Sequence, residues 1–386
     1  MALLKANGQR VFEGSITRPA RGVWLARLRV DARSPLVVGA PVVIETPGLT
    51  MRGTVSRAGE VLDTCECEIV GGAGGMLKAV SPKSYLEPTV RMVAQDLAAA
   101  GGETVSPLSD KGVLDLPLTR WTRFAGSVAT ELRMLLDCVA AMTGKAVDWR
   151  ILEDGTLWIG QHAWLPASAV HQVMEDSPAD AQATVAAERP FIFPGMTIDG
   201  RKVFEVVDTF ESSRVRHHYS DEESLSDVVR DVARQAVDGR DDAMRFYPAR
   251  VLGTHTLGGP LELALDDPNA PTLSRVPMRL GVPGVRVRMN AGARVLVTFE
   301  GGDRRKPIAA LWEHDGVAEM SLAGGSKSIA RTGDTADAGT LYVTSSGSAV
   351  SSIVYVPPDA PPGTPPLGAP IRLRAKINDT GTKIKA

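Results

Sequence analysis

Residues 289–316 have the sequence MNAGARVLVTFEGGDRRKPIAALWEHDG, in which two apolar, strand-like runs flank the charged, turn-forming residues GGDRRK. They end a β-rich region that covers residues 244–316. This region contains five strand-like runs: YPARVLGTHTLGG, PLELALDD, SRVPMRLGVPGV, GARVLVTFEGGD and KPIAALWEHDGV. Five is also the number of strands in an OB barrel. We therefore predict an OB-fold domain over residues 241–322.

The first 82 residues are also rich in β-forming residues. Their apolar runs, RVFEGSITR, GVWLARLRV, PLVVGAPVVIET and TCECEIV, are separated by Gly, Pro and Ser. Short strands at close spacing with turn residues between them are typical of small barrels and sandwiches. The pattern predicts a first β-barrel over residues 1–82.

One segment of this predicted barrel recurs later in the chain. Residues 47–66 are PGLTMRGTVSRAGEVLDTCE and residues 194–211 are PGMTIDGRKVFEVVDTFE. Both ends of the two segments match, which favours duplication of a module, although chance similarity of two short strands stays open. Residues 161–240 are therefore predicted to form a second β-barrel. A helix is predicted within that range over residues 220–239, SDEESLSDVVRDVARQAVDG.

Residues 83–160 show a helical pattern instead. The run EPTVRMVAQDLAAAGG ends in two glycines and places four apolar residues on one helical face: Val90, Val93, Ala94 and Leu97. A second helix is predicted from about Trp121 to Thr143, with the apolar stripe Val128, Leu132, Leu135, Val139 and Met142. The pair Asp154-Gly155 after it is the preferred turn of a two-residue hairpin. An α/β unit is thus predicted after the first barrel.

Residues 323–386 differ from the rest of the chain in composition. They are rich in Gly, Ser, Thr and Pro and include VPPDAPPGTPPLGAP, where proline excludes helix. Three strand-like islands, GTLYVTSSG, SSIVYV and IRLRAKI, contain few charges. Islands of this size cannot form an independent core, but several copies of the chain could share one. A flexible linker is the alternative.

Composition and charge argue against several classes of function. A chain of 386 residues is expected to form about two to four domains, and its apolar and charged fractions are those of a globular protein. The net charge is −2, and no basic stripe indicates a nucleic acid partner. No apolar run approaches the roughly 20 residues of a membrane helix, and MALLKANGQR is too polar for a signal peptide.

The three cysteines indicate structural thiols. Cys65 and Cys67 alternate within DTCECEIV and would share one face of a strand, which suits burial better than a disulfide. Cys138 stands apart from them. A metal site would need further ligands, and no histidine cluster lies nearby in sequence. We predict reduced thiols without a metal or redox role.

A search for catalytic and ligand-binding motifs is negative. The six histidines show no H-E-x-x-H or H-x-H spacing, and His217 and His218 would point to opposite faces of a strand. The glycine-rich runs at 71–78 (GGAGGMLK) and 323–328 (AGGSKS) lack the G-K-[ST] ending of a phosphate loop. The acidic residues 221–223 stand at the start of the predicted helix, where negative charge complements the helix dipole. Asp266 and Asp267 belong to a turn-forming sequence. We predict no catalytic residues, no cofactor-binding residues and no metal ligands, and therefore no enzyme.

Residues 289–316 resemble the OB-fold segment of tail spike and baseplate hub proteins from phages and contractile injection systems. The pattern there is a Gly-x-x-Val strand, an aromatic residue, Gly-Asp, a basic turn, Pro and an apolar strand. Here it falls on Gly292, Val295, Phe299, Gly302, Asp303, Pro307 and Ile308. The resemblance implies a mainly β fold with an α/β insert: two hub-type β-barrels, an OB-fold barrel and a C-terminal trimeric β-structured spike over residues 323–386. Two related barrels in each chain would let three chains present six.

The function implied by this resemblance is structural. It is that of a homotrimeric baseplate hub and central spike at the distal end of a phage or phage-like tail. Such a protein closes the tail tube, templates assembly, and contacts or pierces the host envelope. The implied partners are further copies of the chain, tail tube and distal tail proteins, the tape measure protein, other baseplate proteins and the host envelope, with no specific nucleic acid. The implied location is the virion tail tip, assembled in the host cytoplasm.

The sequence lacks two features that occur in some tail spike and baseplate hub proteins. It contains no recognisable lysozyme or peptidase domain, and no H-x-H iron motif follows residue 323. Two other functions stay open. OB barrels also bind carbohydrate or nucleic acid, although the near-zero net charge argues against nucleic acid. A tail-associated cell-wall hydrolase would need a cleft with a perturbed carboxylate or a bound metal, and the sequence nominates neither.

Overall fold

The computed structural model describes most of residues 4–321 and five short segments beyond them. The described ranges are 4–31, 35–46, 48–61, 63–167, 172–177, 182–186, 192–198, 200–211, 214–220, 245–281, 284–313, 316–321, 335–336, 340–346, 349–356, 370–371 and 375–376. The chain divides into two compact units. The first comprises Met1–Gly253, Pro260–Arg279 and Ala291–Glu313; the second comprises Thr254–Gly259, Leu280–Asn290 and His314–Ala386.

A closed six-stranded barrel opens the first unit. Its strands are β1 (Lys5–Ala6), β2 (Gln9–Pro19), β3 (Leu25–Asp31), β4 (Pro41–Thr46), β5 (Leu49–Val61) and β6 (Thr64–Gly71). They pair antiparallel in the order β1-β4-β5-β6-β3-β2, and β1 also pairs with β2, which closes the sheet. Closure removes the free edges that an open sheet exposes. The barrel predicted at the start of the chain is confirmed.

Strand periodicity sets the register of this barrel. Every second residue of β3 is buried in the core. Between these positions, Arg27 and Arg29 lie opposite Glu68 and Glu66 of the neighbouring strand β6. Because a slip by one residue would move these charges into the core, the sequence strongly specifies the register.

An α/β unit follows the barrel. Its elements are β7 (Ala79–Val80), β8 (Lys83–Leu86), α1 (Val90–Gly101), α2 (Lys111–Leu114), β9 (Arg120–Arg123), β10 (Gly126–Ser127), α3 (Val128–Thr143), β11 (Asp148–Ile151) and β12 (Leu157–Gly160). Three antiparallel pairs accompany the helices: β7 with β10, β8 with β9, and β11 with β12. None of the helices in the described part of the chain is long and apolar enough to cross a bilayer.

Capping residues set the ends of the two long helices. Thr89 precedes α1 and accepts a hydrogen bond from the N–H of Met92, and Gly102 ends the helix at a φ of +81°. The second helix starts at Val128, so the predicted start near Trp121 is wrong. Residues 120–123 pair with β8 instead, and the hydroxyl of Ser127 caps α3 by accepting from the N–H of Thr130 at 3.1 Å.

The β11–β12 hairpin also differs from its prediction. The N–H of Leu152 donates to the carbonyl of Thr156 at 2.8 Å, which leaves a three-residue loop rather than a two-residue one. The N–H of Gly155 donates back to the carbonyl of Leu152 at 3.0 Å, and Gly155 has a φ of +84°. A turn followed by a left-handed glycine is the usual geometry of a three-residue hairpin.

The barrel and the α/β unit share one hydrophobic core, to which α1 and α3 contribute Leu97 and Leu132. Trp24 from the barrel is 2% exposed, and its indole N–H donates to the carbonyl of Leu152 at 3.1 Å. Gly71 makes room for this indole, because a Cβ there would lie 2.6 Å from its Nε1. The two parts therefore form one packed body.

The barrel sheet continues past β2 into four further strands. The elements of this region are β13 (Leu165–Pro166), β14 (Gln172–Ser177), β15 (Gln182–Ala186), β16 (Met196–Ile198), β17 (Arg201–Lys202), β18 (Glu205–Glu211) and β19 (Arg214–Ser220). Strand β18 pairs with β2, and β19, β15 and β14 follow in that order, which makes a ten-stranded sheet. The three other strands form a small sheet in the order β13-β16-β17. The helix predicted at 220–239 lies outside the described residues, except that Ser220 ends β19.

The two similar sequence segments fold differently. In the first, Leu49–Val61 is one strand that runs through Gly53, where a Cβ would lie 2.7 Å from the ring of Trp24. In the second, the corresponding Gly200 has a φ of +82° and forms the turn between β16 and β17. The two segments therefore differ in local structure, and the second barrel over residues 161–240 stays a prediction. The same glycine provides close packing in one copy and a left-handed turn in the other.

A buried ion pair fastens β18 to the barrel. The guanidinium of Arg18 on β2 is 2% exposed, and its Nε and Nη2 lie 3.0 and 2.8 Å from Oδ2 of Asp208. Its Nη2 also donates to the carbonyl of Ile192 at 3.1 Å, and Glu153 lies 3.7 Å from Nη1. The side chain thus reaches three separate segments of the chain.

A third sheet completes the first unit. The strands from residue 247 to residue 321 are β20 (Tyr247–Val251), β21 (Leu261–Leu265), β22 (Leu273–Val276), β23 (Arg286–Met289), β24 (Arg294–Phe299), β25 (Pro307–Trp312) and β26 (Val317–Ser321), of which β23 and β26 belong to the second unit. Five of them pair in the order β22-β21-β20-β24-β25. After β22, Met278 forms a parallel bridge with Ala309 of β25, which brings the two ends of the sheet together. This nearly closed sheet has the strand number that the predicted OB barrel requires.

The second unit contains the pair β23–β26 and the strands that follow. These are β27 (Thr335–Ala336), β28 (Thr340–Ser346), β29 (Ala349–Val356), β30 (Pro370–Ile371) and β31 (Ala375–Lys376). Strands β28 and β29 form an antiparallel hairpin, and β30 pairs with the other edge of β28. The islands GTLYVTSSG and SSIVYV are confirmed as strands, and most of the island IRLRAKI lies outside the described residues.

Removal of Asp208 tests the ion pair between the barrel and β18. We expect Asp208→Ala to lower the free energy of unfolding by about 3–5 kcal/mol, because it removes the nearest counter-charge of the buried Arg18 and leaves only Glu153, at 3.7 Å from Nη1. Arg27→Ala is the control, since that side chain is 80% exposed and should cost at most about 0.5 kcal/mol. Urea unfolding measures both variants, and equal losses would contradict the role given to Asp208.

Candidate functional site

The third sheet is joined to the α/β unit by a second buried ion pair. Nη1 of Arg304 donates to both carboxylate oxygens of Glu131, at 3.0 and 2.7 Å. The two side chains are 4% and 2% exposed. Glu131 lies in the first turn of α3, and Arg304 lies in the turn between β24 and β25, so the pair links residues 173 positions apart.

Three aromatic rings pack around this pair. Phe124 and Tyr247 stack with their centroids 5.6 Å apart, and Phe299 lies edge-on to them at 5.6 and 6.3 Å. The guanidinium of Arg304 lies 4.8 Å above the ring of Phe124. Aromatic faces attract a cation, so the cluster complements the charge of the arginine while excluding water. We call this arrangement the buried joint.

The turn before β25 directs Arg304 inward and its neighbour outward. Asp303 accepts from the backbone N–H of Arg305 at 2.9 Å and pairs with its guanidinium at 2.7 Å. Burial opposes ionisation of Asp303, but its hydrogen bonds with Arg305 outweigh burial and hold its pKa below the usual range. The Gly-Asp turn recognised in the sequence therefore has a structural task, which is to present Arg304 to the joint.

Two opposing features of its surroundings act on the pKa of Glu131. Burial raises the pKa of this carboxyl, and the charge and hydrogen bonds of Arg304 offset part of that effect. The carboxylate is enclosed by its partner. It therefore serves packing and cannot reach a substrate.

We expect Glu131→Ala to cost about 3–5 kcal/mol in the free energy of unfolding, because Arg304 then stays buried without a counter-ion. The double variant Glu131→Leu with Arg304→Met should recover most of that loss, since apolar replacement of a buried pair is often neutral. Arg133→Ala on the same helix is the control, because its side chain is 40% exposed. Thermal unfolding distinguishes these cases, and a double variant less stable than Glu131→Ala would contradict the assignment.

The glycine-rich loop at residues 71–75 binds an internal anion. The N–H groups of Ala73 and Gly75 donate to the two carboxylate oxygens of Glu103 at 3.0 and 3.1 Å. Glu103 is 6% exposed, and a Cβ on Gly75 would lie 1.6 Å from the carbonyl oxygen of Gly101. The N–H donors that a phosphate would need are thus taken by the chain's own carboxylate. The other glycine-rich run, 323–328, lies outside the described residues.

A polar network ties β8 and β9 to α1. Asp96 accepts from Tyr85 at 2.5 Å, from Arg123 at 2.7 Å and from Lys83 at 2.9 Å. Burial opposes ionisation of Asp96, yet the hydrogen bonds from Tyr85 and Lys83 hold its pKa below the usual range. Burial, with the hydrogen bond to Asp96, raises the pKa of Tyr85. The network therefore consists of a neutral phenol and an ionised carboxylate, both held by their neighbours.

The structure places one histidine in a buried aromatic stack. His162 lies between Trp158 and Trp164, with ring centroids 4.9 and 5.3 Å away. Its Nε2 lies 3.0 Å from the carbonyl oxygen of Ala20 and therefore carries the proton. Burial lowers the pKa of His162, and Asp148, 3.9 Å from Nε2, only partly opposes this effect. The imidazole is neutral and structural.

The other histidines do not assemble a site among the described residues. His217 and His218 lie on β19 as predicted, at successive positions of one strand. In the second unit, Nε2 of His255 accepts from the N–H of Met289 at 2.9 Å. His171 and His314 lie outside the described residues, as do the acidic residues 221–223. Within the described ranges, no group of three or more His, Cys, Asp or Glu side chains is arranged to hold a metal ion.

The cysteines lie as predicted. Cys65 and Cys67 are buried on one face of β6 with their sulfurs 3.4 Å apart. Burial, together with the neighbouring Cys65, raises the pKa of Cys67 to about 12. Cys138 is half-buried, and burial raises its pKa too. Thiols that stay protonated are poor nucleophiles and poor metal ligands.

A shallow cavity of about 810 Å³ lies across β5, β6, β3, β2 and β18. Its charged side chains face one another across the strands: Arg29 lies 3.0 Å from Glu13 and 4.0 Å from Glu66. These pairs follow the strand register. They stabilise the barrel wall, as cross-strand pairs of opposite charge do elsewhere.

Lowering the pH tests the buried state of His162. Because the folded protein holds its pKa below the ordinary 6.5, the unfolded chain takes up the proton first as the pH falls. The stability that depends on neutral His162 is complete above that value and is lost as the pH falls toward the lowered pKa. We expect His162→Gln to lose less stability than the parent between pH 7 and pH 5, as measured by urea unfolding. The control is His255→Gln, which removes a half-buried histidine of the second unit. Parallel pH profiles of the parent and His162→Gln would contradict this expectation.

No protein-family model and no curated protein matches the chain. Among solved structures, it is similar to the E. coli protein c3393, described as a component of the type VI secretion system with structural similarity to the T4 bacteriophage tail proteins gp27 and gp5. The identity is 11% and the TM-score 0.52, over 80% of this chain and 99% of the other.

Two further structures are more distant. The 43 kDa tail protein of prophage MuSo2 from Shewanella oneidensis has 13% identity and a TM-score of 0.43, over 56% of this chain and 96% of the other. A tail protein from Neisseria meningitidis MC58 has 12% identity and a TM-score of 0.40, over 56% and 94%. The assignment of fold rests on the E. coli structure. The mainly β fold implied by the sequence resemblance is confirmed.

Proposed function

We propose that this chain is a structural component of a phage tail or of a phage-like contractile injection system, where it forms the baseplate hub and central spike. One observation supports this most directly. The fold that contains the closed barrel, the α/β unit and the nearly closed third sheet is similar to that of the E. coli protein over 80% of this chain and 99% of the other. A likeness of fold at 11% identity supports the proposal and leaves the function to experiment.

The proposed working form is a homotrimer. Residues 340–356 form the hairpin of β28 and β29 and contain no charged residue. Leu341 pairs with Tyr355 and Tyr342 pairs with Val354, so apolar and aromatic residues stand at successive positions of both strands. A two- or three-stranded sheet of this composition needs further packing partners to be stable. Further copies of the same chain, arranged around a three-fold axis, would provide it.

In this proposal the protein acts mechanically. The barrels close the tail tube and template its assembly, while the spike meets and pierces the host envelope. Its partners are tail tube and distal tail proteins, the tape measure protein and other baseplate proteins, with no specific nucleic acid. It resides at the virion tail tip after assembly in the host cytoplasm.

We propose no enzymatic activity. A hydrolase needs a carboxylate that is both perturbed and open to substrate. Glu131 has a raised pKa, but Arg304 encloses it at 2.7 Å. The described residues contain no feature that favours the hydrolase or the carbohydrate-binding alternative.

Light scattering on the purified chain tests the trimer. We expect a mass three times the 41.0 kDa of one chain, and a mass closer to one chain after truncation at residue 322, because the truncation removes the shared core. The substitution Arg27→Ala on the barrel surface should leave the mass unchanged and serves as control. A single-chain mass for the full protein at tens of micromolar would contradict the proposed working form.

A further inference from the structure

A two-residue turn begins the closure of the barrel. Asn7 and Gly8 connect β1 to β2, with Lys5 opposite Arg10 and Ala6 opposite Gln9. Both turn residues have positive φ values, +49° for Asn7 and +79° for Gly8. Asn-Gly is the preferred pair for this type of hairpin, because both residues tolerate the left-handed region.

Asn7 also continues the ladder between β1 and β4 with its side chain. Its backbone N–H donates to the carbonyl of Val43 at 2.8 Å. Its side-chain oxygen accepts from the N–H of Val43 at 2.8 Å, and its amide nitrogen donates to the carbonyl of Pro41 at 3.3 Å. Since β1 contains only two residues, these three bonds form much of the seam that closes the barrel.

The same dipeptide is chemically labile. An asparagine followed by glycine can lose its side-chain amide, because no side chain on the glycine obstructs its backbone nitrogen. A Cβ on Gly8 would meet nothing within 4 Å, so the space beside its Cα is open. The sequence contains four asparagines, and the other three, Asn269, Asn290 and Asn378, are followed by Ala, Ala and Asp. Asn7 therefore has the most reactive neighbour in the chain.

We propose that Asn7 is a deamidation site whose reaction is controlled by closure of the barrel. The backbone nitrogen of Gly8 attacks Cγ of Asn7, a new C–N bond forms, and the side-chain nitrogen leaves as ammonia. Water then opens the resulting succinimide to aspartate or isoaspartate. Nothing other than water is consumed.

Closure opposes this reaction by geometry. In the closed barrel, the oxygen and nitrogen of the Asn7 side chain are both bound to residues 41–43, which restrains the rotation that would bring Cγ into line with the nitrogen of Gly8. In a chain whose β1 has not yet docked, these bonds are absent and the attack is free. The rate of modification therefore reports the opening of the β1 seam.

The two products have different consequences. Aspartate keeps an oxygen for the N–H of Val43 but sets a carboxylate against the carbonyl of Pro41. Isoaspartate adds a methylene to the backbone, which shifts the register of β1 and displaces Leu4 and Ala6, both of which are buried in the core. Isoaspartate should therefore prevent closure, whereas aspartate weakens it.

The test incubates the full chain at mildly alkaline pH in native buffer and in denaturant. Mass spectrometry of the peptides that contain Asn7, Asn269 and Asn290 then gives the deamidated fraction of each. We expect Asn7 to react fastest of the three in denaturant and at least about tenfold more slowly in native buffer. Equal rates for Asn7 in the two conditions, or faster reaction at Asn269 or Asn290 in denaturant, would overturn the proposal.

Two variants distinguish local opening of the β1 seam from global unfolding of the protein. Ile44→Ala removes a fully buried side chain of β4 opposite Ala6, and should raise the native rate at Asn7 several-fold without changing the rate in denaturant. Leu263→Ala removes an equally buried side chain in the third sheet and should leave both rates unchanged. A rise of equal size in both variants would show that the reaction follows global unfolding, which would overturn control by the seam.

Discussion

Buried arginine side chains hold the first unit of this protein together. Arg18 binds Asp208 and thereby fastens strand β18 to the closed barrel, and Arg304 binds Glu131 and fastens the third sheet to helix α3. The guanidinium group suits this position because it remains charged and can donate several hydrogen bonds in a fixed plane. If Arg304 lost Glu131, the unit would contain an unpaired charge in its interior, and if Arg18 lost Asp208, only Glu153 would remain near it, at 3.7 Å from Nη1.

Such pairs contribute more to a defined geometry than to stability. Two charges taken out of water recover their desolvation cost only when the partner is correctly placed, so alternative packings of the same sheets are penalised. Apolar surfaces alone would tolerate sliding between barrel, helix and sheet. A part that must match other proteins in a symmetric assembly needs the fixed geometry that these pairs provide, and this requirement fits the proposed place in a tail baseplate.

Local sequence patterns predicted most strands and helices, but not the long-range contacts that join them. Strand alternation located most strands of the barrel and all five of the third sheet, and capping residues marked the end of both long helices. The start of α3 was missed because residues 120–123 pair with β8, a long-range contact that no local sequence pattern reveals. In the sequence, Arg304 is one residue of a basic turn. No local pattern indicates that it pairs with Glu131, 173 residues away. Likewise, the sequence of the glycine-rich loop does not indicate which group its N–H donors bind, and only the fold brings Glu103 to it.

The central claim is that three copies of this chain form a hub and spike around one axis. Electron cryomicroscopy of the purified full-length protein tests it most directly. The account predicts a particle with three-fold symmetry, in which the barrels form a ring and the strands of residues 340–356 lie together on the axis. A particle without three-fold symmetry, or one in which those strands lie apart from the axis, would contradict it.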